Sequence, residues 1–158
     1  MRQLFVDIEK SQHYSLALAT AALAGPIAAQ APSLHDPALA AAVSQWFTHG
    51  GDARISALQK DFETIARSAD GTDLPGVEAG CTALVVDVGH AQHYDPLPDG
   101  QAQQHWSTAL SMYANGAADR VKGAGTVDSD RLLRANDEIL RGTAELTQAT
   151  ERIQAILD

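Results

Sequence analysis

At 158 residues the chain is the size of one ordinary domain, long enough to bury a core without metals or disulfides. Hydrophobic residues make up 45% but aromatic residues only 5%, an alanine-rich balance that suits closely approaching helices and disfavours strands, which want Val, Ile, Tyr and Phe. Eleven Lys and Arg against 20 Asp and Glu leave a formal net charge of -9, which repels phosphate backbones and anionic lipid; the nearest thing to a basic patch, Arg131, Arg134 and Arg141, is interleaved with Asp128, Asp130, Asp137 and Glu138, so nucleic acid is disfavoured as a partner.

Residues 1–30 admit two readings. SLALATAALA, residues 15–24, has the length of a signal-peptide h-region and is far too short to span a bilayer, which excludes a transmembrane helix there. Ala22-Leu23-Ala24 satisfies a small-x-small cleavage pattern, whereas Asp7 and Glu9 balance Arg2 and Lys10 where an export signal carries a positive excess. The other reading is a retained helix over residues 2–24, ended by Gly25-Pro26.

Residues 36–158 read as one helical bundle domain. Asp36-Pro37 predicts an N-cap with proline in the first turn, and Leu39, Val43, Trp46 and Phe47 recur on one face before Gly50-Gly51 stops the helix. Asp52 is expected to cap the next helix, whose apolar positions are Ile55, Leu58, Phe62, Ile65 and Ala69, ending near Asp70-Gly71. Asp73 and Pro75 open a third helix, through Val77, Cys81, Leu84, Val88 and Ala91.

The run Asp95-Pro96-Leu97-Pro98-Asp99-Gly100 is a connection, since two prolines remove donors and bias their predecessors away from helical angles. The next helix is expected over about residues 101–122, with Trp106, Leu110, Tyr113, Ala117 and Val121 inward and Gly123-Ala124-Gly125 closing it. The last helix, capped by Asp128 or Ser129, carries Leu132, Ile139, Leu146 and Ile153 every seven residues and Ala135, Gly142, Ala149 and Ile156 three residues after each. Asp130 with Arg134, Arg134 with Glu138, and Asp137 with Arg141 are placed to pair on its solvent side. The predicted fold is all-α: a four-helix, mostly antiparallel bundle with one or two additional N-terminal helices.

Chemistry-bearing motifs are sparse. Gly-x-Ser-x-Gly, P-loop, Cys-x-x-Cys and paired Glu-x-x-His signatures do not occur. Cys81, the single cysteine, reads as a buried apolar thiol among Val77, Leu84, Val85 and Val88. The most suggestive cluster is His90 and His93 near one helix end, Asp95 and Asp99 in the connection and His105 early in the next helix, which an antiparallel turn brings to one end of the bundle. It supports an alternative reading as a metal-binding or small-molecule-binding bundle. An enzyme built on Asp87, Asp95 and Asp99 is a third and weaker reading, because no acid and base pair can be placed.

The order Trp46 with Gly50-Gly51, Leu58 with Asp61, Cys81-x-x-Leu84-x-x-Asp87, Ala91, Pro96-x-Pro98-Asp99, Trp106-x-x-Ala109-Leu110-x-x-Tyr113 and Gly116-Ala117-Ala118 resembles an uncharacterised alanine-rich helical domain of actinobacterial exported or membrane-anchored proteins, over residues 38–158. The resemblance implies an extracytoplasmic or cell-envelope location and a helical fold, with no established activity or cofactor. It also implies a second cysteine, bridged to the equivalent of Cys81, where this chain has Arg120. Good helix patterning without convergent reactive groups makes the leading expectation a non-catalytic protein-interaction domain. Its docking surface is expected between the N-terminal helices and the bundle.

Overall fold

The computed structural model describes residues 36–126 and 128–158, so both readings of residues 1–30 lie outside it. Every element among the described residues is helical: α1 (Pro37–Trp46), a π-helical turn (Phe47–Gly51), α2 (Asp52–Asp70), α3 (Leu74–Gln92), α4 (Gly100–Thr126) and α5 (Ser129–Leu157). The all-α bundle expected from sequence is the fold, with α1 as the additional N-terminal helix. None of these helices is long and apolar enough to cross a membrane.

Three predicted aspartate caps form. Asp36 accepts from Ala38 N at 2.9 Å, Asp73 from Gly76 N at 3.1 Å and Asp128 from Arg131 N at 3.0 Å, each satisfying an otherwise unpaired amide of a first helical turn. The expected break at Gly50-Gly51 falls at Gly50. Gly50, at φ 140° and ψ -4°, breaks the helical path between α1 and α2, Asp52 N–H donates back to Phe47 O across the kink, and no side chain caps α2. Asp52 is α2's first residue, not its cap.

Short connections reverse the chain. Across α2 and α3, Gly80 sits against Ile65 and Gly76 approaches Ser68. Across α4 and α5, His105 meets Glu145, Tyr113 meets Thr143 and Arg120 meets Asn136, numbers rising on one helix as they fall on the other. Both pairs are therefore antiparallel.

The last seam follows its heptad pattern: Ala135, Gly142 and Ala149 are buried with Ile153 and Ile156, and Leu132, Ile139 and Leu146 lie at the edge. Small residues there let backbones approach, and a β-carbon on Gly116 would stand 2.9 Å from Ala135 O. Close packing also corrects the end of α4. Gly123 does not close the helix; it is buried within α4 against Leu132, and α4 continues to Thr126. Of the expected solvent-side pairs only Asp137–Arg141 forms, at 3.9 Å, while Arg131 turns to Asp119 at 3.2 Å and Asp128 at 3.6 Å.

Leu84, Leu110, Val43, Val88 and Tyr113 are the largest fully enclosed side chains. Each such aliphatic contributes about 1.5 to 3 kcal/mol relative to exposure.

Candidate functional site

The histidine end of the bundle is the first candidate. His93 Nδ1 lies 2.7 Å from the Gly89 carbonyl of its own helix, which can only accept, so the ring donates there and finishes α3. His90 Nδ1 meets Asp87 Oδ1 at 3.2 Å and its side chain is 66% exposed. His105 instead reaches across to α5, where Nδ1 meets Glu145 Oε2 at 2.7 Å. Among the described residues no group of three or more His, Cys, Asp or Glu side chains is placed to hold a metal ion. His90, His93 and His105 each have a separate partner.

Asp99, grouped with them in sequence, belongs to the scaffold. It is buried, caps α4 by accepting from Ala102 N at 2.8 Å, and receives Arg152 Nε at 3.1 Å and Nη2 at 2.8 Å. The Arg152 hydrogen bonds hold its carboxyl below the ordinary carboxylate range, with the Ala102 amide adding to them against the cost of burial. This fork ties the α3–α4 connection to the far end of α5.

A second candidate is the aromatic joint where α1 meets the bundle. Trp46 packs edge-on against Phe47, Tyr94 and Trp106 at centroid distances of 5.1, 5.5 and 6.1 Å, and its Nε1 donates to Asp95 O at 2.6 Å. The Trp46 ring lies so close over Gly51 that a β-carbon there would stand 2.2 Å from it. The space left between Trp46, Phe47, Leu97, Trp106, Leu146 and Ile153 is about 10 Å³. That is room for about one water, against several hundred Å³ for a small organic ligand. The docking groove expected between the N-terminal helices and the bundle is therefore closed at α1, because the aromatic rings fill it.

A pairing that the sequence does not declare lies between α2 and α3. Asp61 is 7% exposed and faces Asp87 within hydrogen-bonding reach, and its buried Oδ2 finds no donor among the described residues. Burial above all, then the Asp87 charge and its hydrogen bond, push the Asp61 carboxyl up from 3.8 to about 6, against a smaller pull from Lys60. Two ionised carboxylates are both pure acceptors, so a proton on Asp61 lets it donate to Asp87. The signal available in sequence was position: Asp61 stands three residues after Leu58 and four before Ile65, on the apolar stripe of α2.

Cys81, on α3, is fully buried, as expected. Burial raises its thiol pKa, and Arg120 lowers it by a smaller amount. Arg120, where the resemblance implies a second cysteine, is thus near enough to act on Cys81, while its guanidinium donates to Asn136 Oδ1 at 2.8 Å.

The outer face of α3 is an uncovered apolar surface. Leu74 is 73% exposed, Val86 53% and Val85 37%. Pro75, Glu78, Ala79, Thr82, Ala83 and Val86 line an open trough along this face, in which Glu78 is the one charge. α3 is apolar nearly all round, because Val77, Cys81, Leu84 and Val88 face the bundle while the trough faces out.

Comparisons with protein-family models, with curated proteins and with solved structures gave no match to this chain.

Proposed function

We propose that the chain is a non-catalytic helical domain that acts by docking a partner protein on the outer face of α3, in the cell envelope of its host. One observation carries the reading: α3 leaves Pro75, Ala79, Ala83 and Val86 uncovered along its outer side, with Leu74 and Val85 exposed beyond it. Apolar side chains scattered singly are ordinary on a surface, but a contiguous helix face is characteristic of an interaction site. Its surroundings favour the same reading. The aromatic joint is filled by its own rings and the imidazoles are each engaged separately, which favours contact through a surface over a role at either place.

The test is site-specific photo-crosslinking in the native host, with the reactive group at Ala83 or at Leu140, an exposed leucine on α5. A discrete crosslinked protein from Ala83 and none from Leu140 is the expected result. Equal labelling from both positions, or none from Ala83, refutes the docking role.

A further inference from the structure

α2 is the least anchored of the long helices. Two of its 19 residues are buried, Leu58 and Asp61, whereas α3, α4 and α5 each bury six or more. It rests mainly on α3, with Phe62 reaching Tyr113 of α4 at a centroid distance of 4.8 Å. Just outside its two ends the backbone takes positive φ, at Gly50 (140°) and at Thr72 (53°). Turns at both ends let the helix between them move as one body.

Register puts charge into the contact that holds it. Ser68 stands against Gly76 and Ile65 against Gly80, and the same antiparallel run brings Asp61 to Asp87. Asp61 is 7% exposed, and its buried Oδ2 has no donor among the described residues. From α3 the facing group is Asp87, which His90 Nδ1 approaches at 3.2 Å on its exposed side. A cation at His90 favours an ionised Asp87 and so leaves the proton on Asp61. From α4, Tyr113 donates its hydroxyl to Thr143, and Arg120 is engaged by Asn136. On α2 itself Arg54 lies over the Tyr94 ring, and Lys60 is exposed and exerts the smallest of the pulls on Asp61.

A proton therefore pairs the two carboxylates without widening the seam, and its loss leaves two like charges in a contact from which water is excluded. Lifting α2 rehydrates them at the smallest sacrifice of packing, since it uncovers Leu58 and the half-buried Ile55, Phe62 and Ile65 but leaves the α4–α5 seam intact.

We infer that α2 is a proton-controlled flap: a proton held between Asp61 and Asp87 seats it on α3, and loss of that proton favours its lifting about Gly50 and Thr72 while α3, α4 and α5 stay packed. The device is independent of the docking role proposed for the outer face of α3. With the Asp61 carboxyl titrating at 3.8 when lifted into water and at about 6 when seated, the equilibrium for lifting rises about tenfold from about pH 5 to about pH 7.5.

Hydrogen exchange of the full chain, read by mass spectrometry at those two pH values and corrected for the intrinsic rate, tests it. Amides of α2 are expected to be less protected than those of α4 and α5 at both, and to lose about tenfold in protection at the higher pH. Asp61→Asn should hold α2 protection constant, and Asp87→Asn, which keeps the burial and removes the second charge, should shrink the response. Amides of α2 as well protected as those of α4 and α5 mean that the helix leaves only when the whole bundle unfolds, which overturns the flap. Protection in α2 that ignores pH, or a response of full size in either variant, overturns its control by this proton.

Discussion

Replacing Asp61 by asparagine keeps its shape and removes its charge, and the structure gives the sign and size of the result. In the folded chain the carboxyl titrates near 6, raised from 3.8 by burial first and by Asp87 second. Between those values the native state holds a proton that the unfolded chain has released, so stability falls as pH rises through the window. Below pH 3.8 both states are protonated and nothing is lost; above pH 6 the ionised carboxylate costs about 3 kcal/mol, at about 1.4 kcal/mol per tenfold change in proton affinity. A side-chain amide at this position avoids that cost and offers Asp87 a donor. Urea unfolding followed by far-UV circular dichroism from about pH 4 to about pH 8 should find Asp61→Asn more stable than the unaltered chain by about 2 to 3 kcal/mol at the alkaline end. The gap should be nearly complete by pH 6 and close progressively as pH falls from about 6 to 3.8. Asp99 and Asp128 titrate in both backgrounds and cancel in the difference. A second variant, Asp87→Asn, should move the Asp61 midpoint down without abolishing it, since burial remains. A difference that is constant with pH, or an unaltered chain more stable than Asp61→Asn at the alkaline end, refutes the reasoning.

Glycines of one helical class should respond oppositely to alanine. Gly89→Ala has open space around its new methyl and should stabilise by about 0.5 to 1 kcal/mol, whereas Gly116→Ala meets Ala135 O at 2.9 Å and should destabilise by about 1 to 3 kcal/mol, both read by thermal melts. Asp99→Ala removes a cap and strands Arg152, for an expected loss of about 2 to 4 kcal/mol at about pH 7. Because the Asp99 carboxyl is held low, its contribution is present above its unfolded value and fades as pH falls through the folded one, so the difference from Asp99→Ala should shrink in acid. Elemental analysis of untagged protein should find no stoichiometric zinc or copper, and His90→Gln with His93→Gln should leave that unchanged; loss of bound metal on substitution would restore the metal-binding reading. Mass spectrometry of the chain from its native host tests export, for which the expected mature N-terminus is Gly25.

Much of the fold was legible because burial imposes a period. The seven-residue recurrence of α5, the three-and-four spacing of α2 and the caps at Asp36, Asp73 and Asp128 are local patterns, and each reappears in the structure. Contacts between distant residues were less legible. Asp61 meets Asp87 and Asp99 meets Arg152 only once helix register is fixed, and no spacing in the chain declares either pair. Gly50-Gly51 reads in sequence as one stop, but only Gly50 breaks the helix; Gly51 keeps helical angles and serves to admit the Trp46 ring. The histidines look convergent because they share one end of the bundle, but direction separates them: His105 turns to α5 while His90 and His93 stay with α3.

The outer face of α3 lies between these cases. The run Leu84-Val85-Val86 could be weighed against a strand in sequence, yet its helical consequence is that Val85 and Val86 cannot share the side on which Leu84 and Val88 are buried. A helix with apolar residues on every side needs neighbours on every side, and α3 has α2 and α4 on the inner one. α5 makes the contrast: its exposed Leu133 and Leu140 stand a full heptad apart among Asp130, Arg134, Asp137 and Arg141, as isolated leucines on a solvated face do. α3 intersperses only Glu78 and Thr82 among its uncovered Leu74, Pro75, Ala79, Ala83, Val85 and Val86. That contrast in composition, few charges on the outer face of α3 against many on the outer face of α5, is what the proposed docking role draws on.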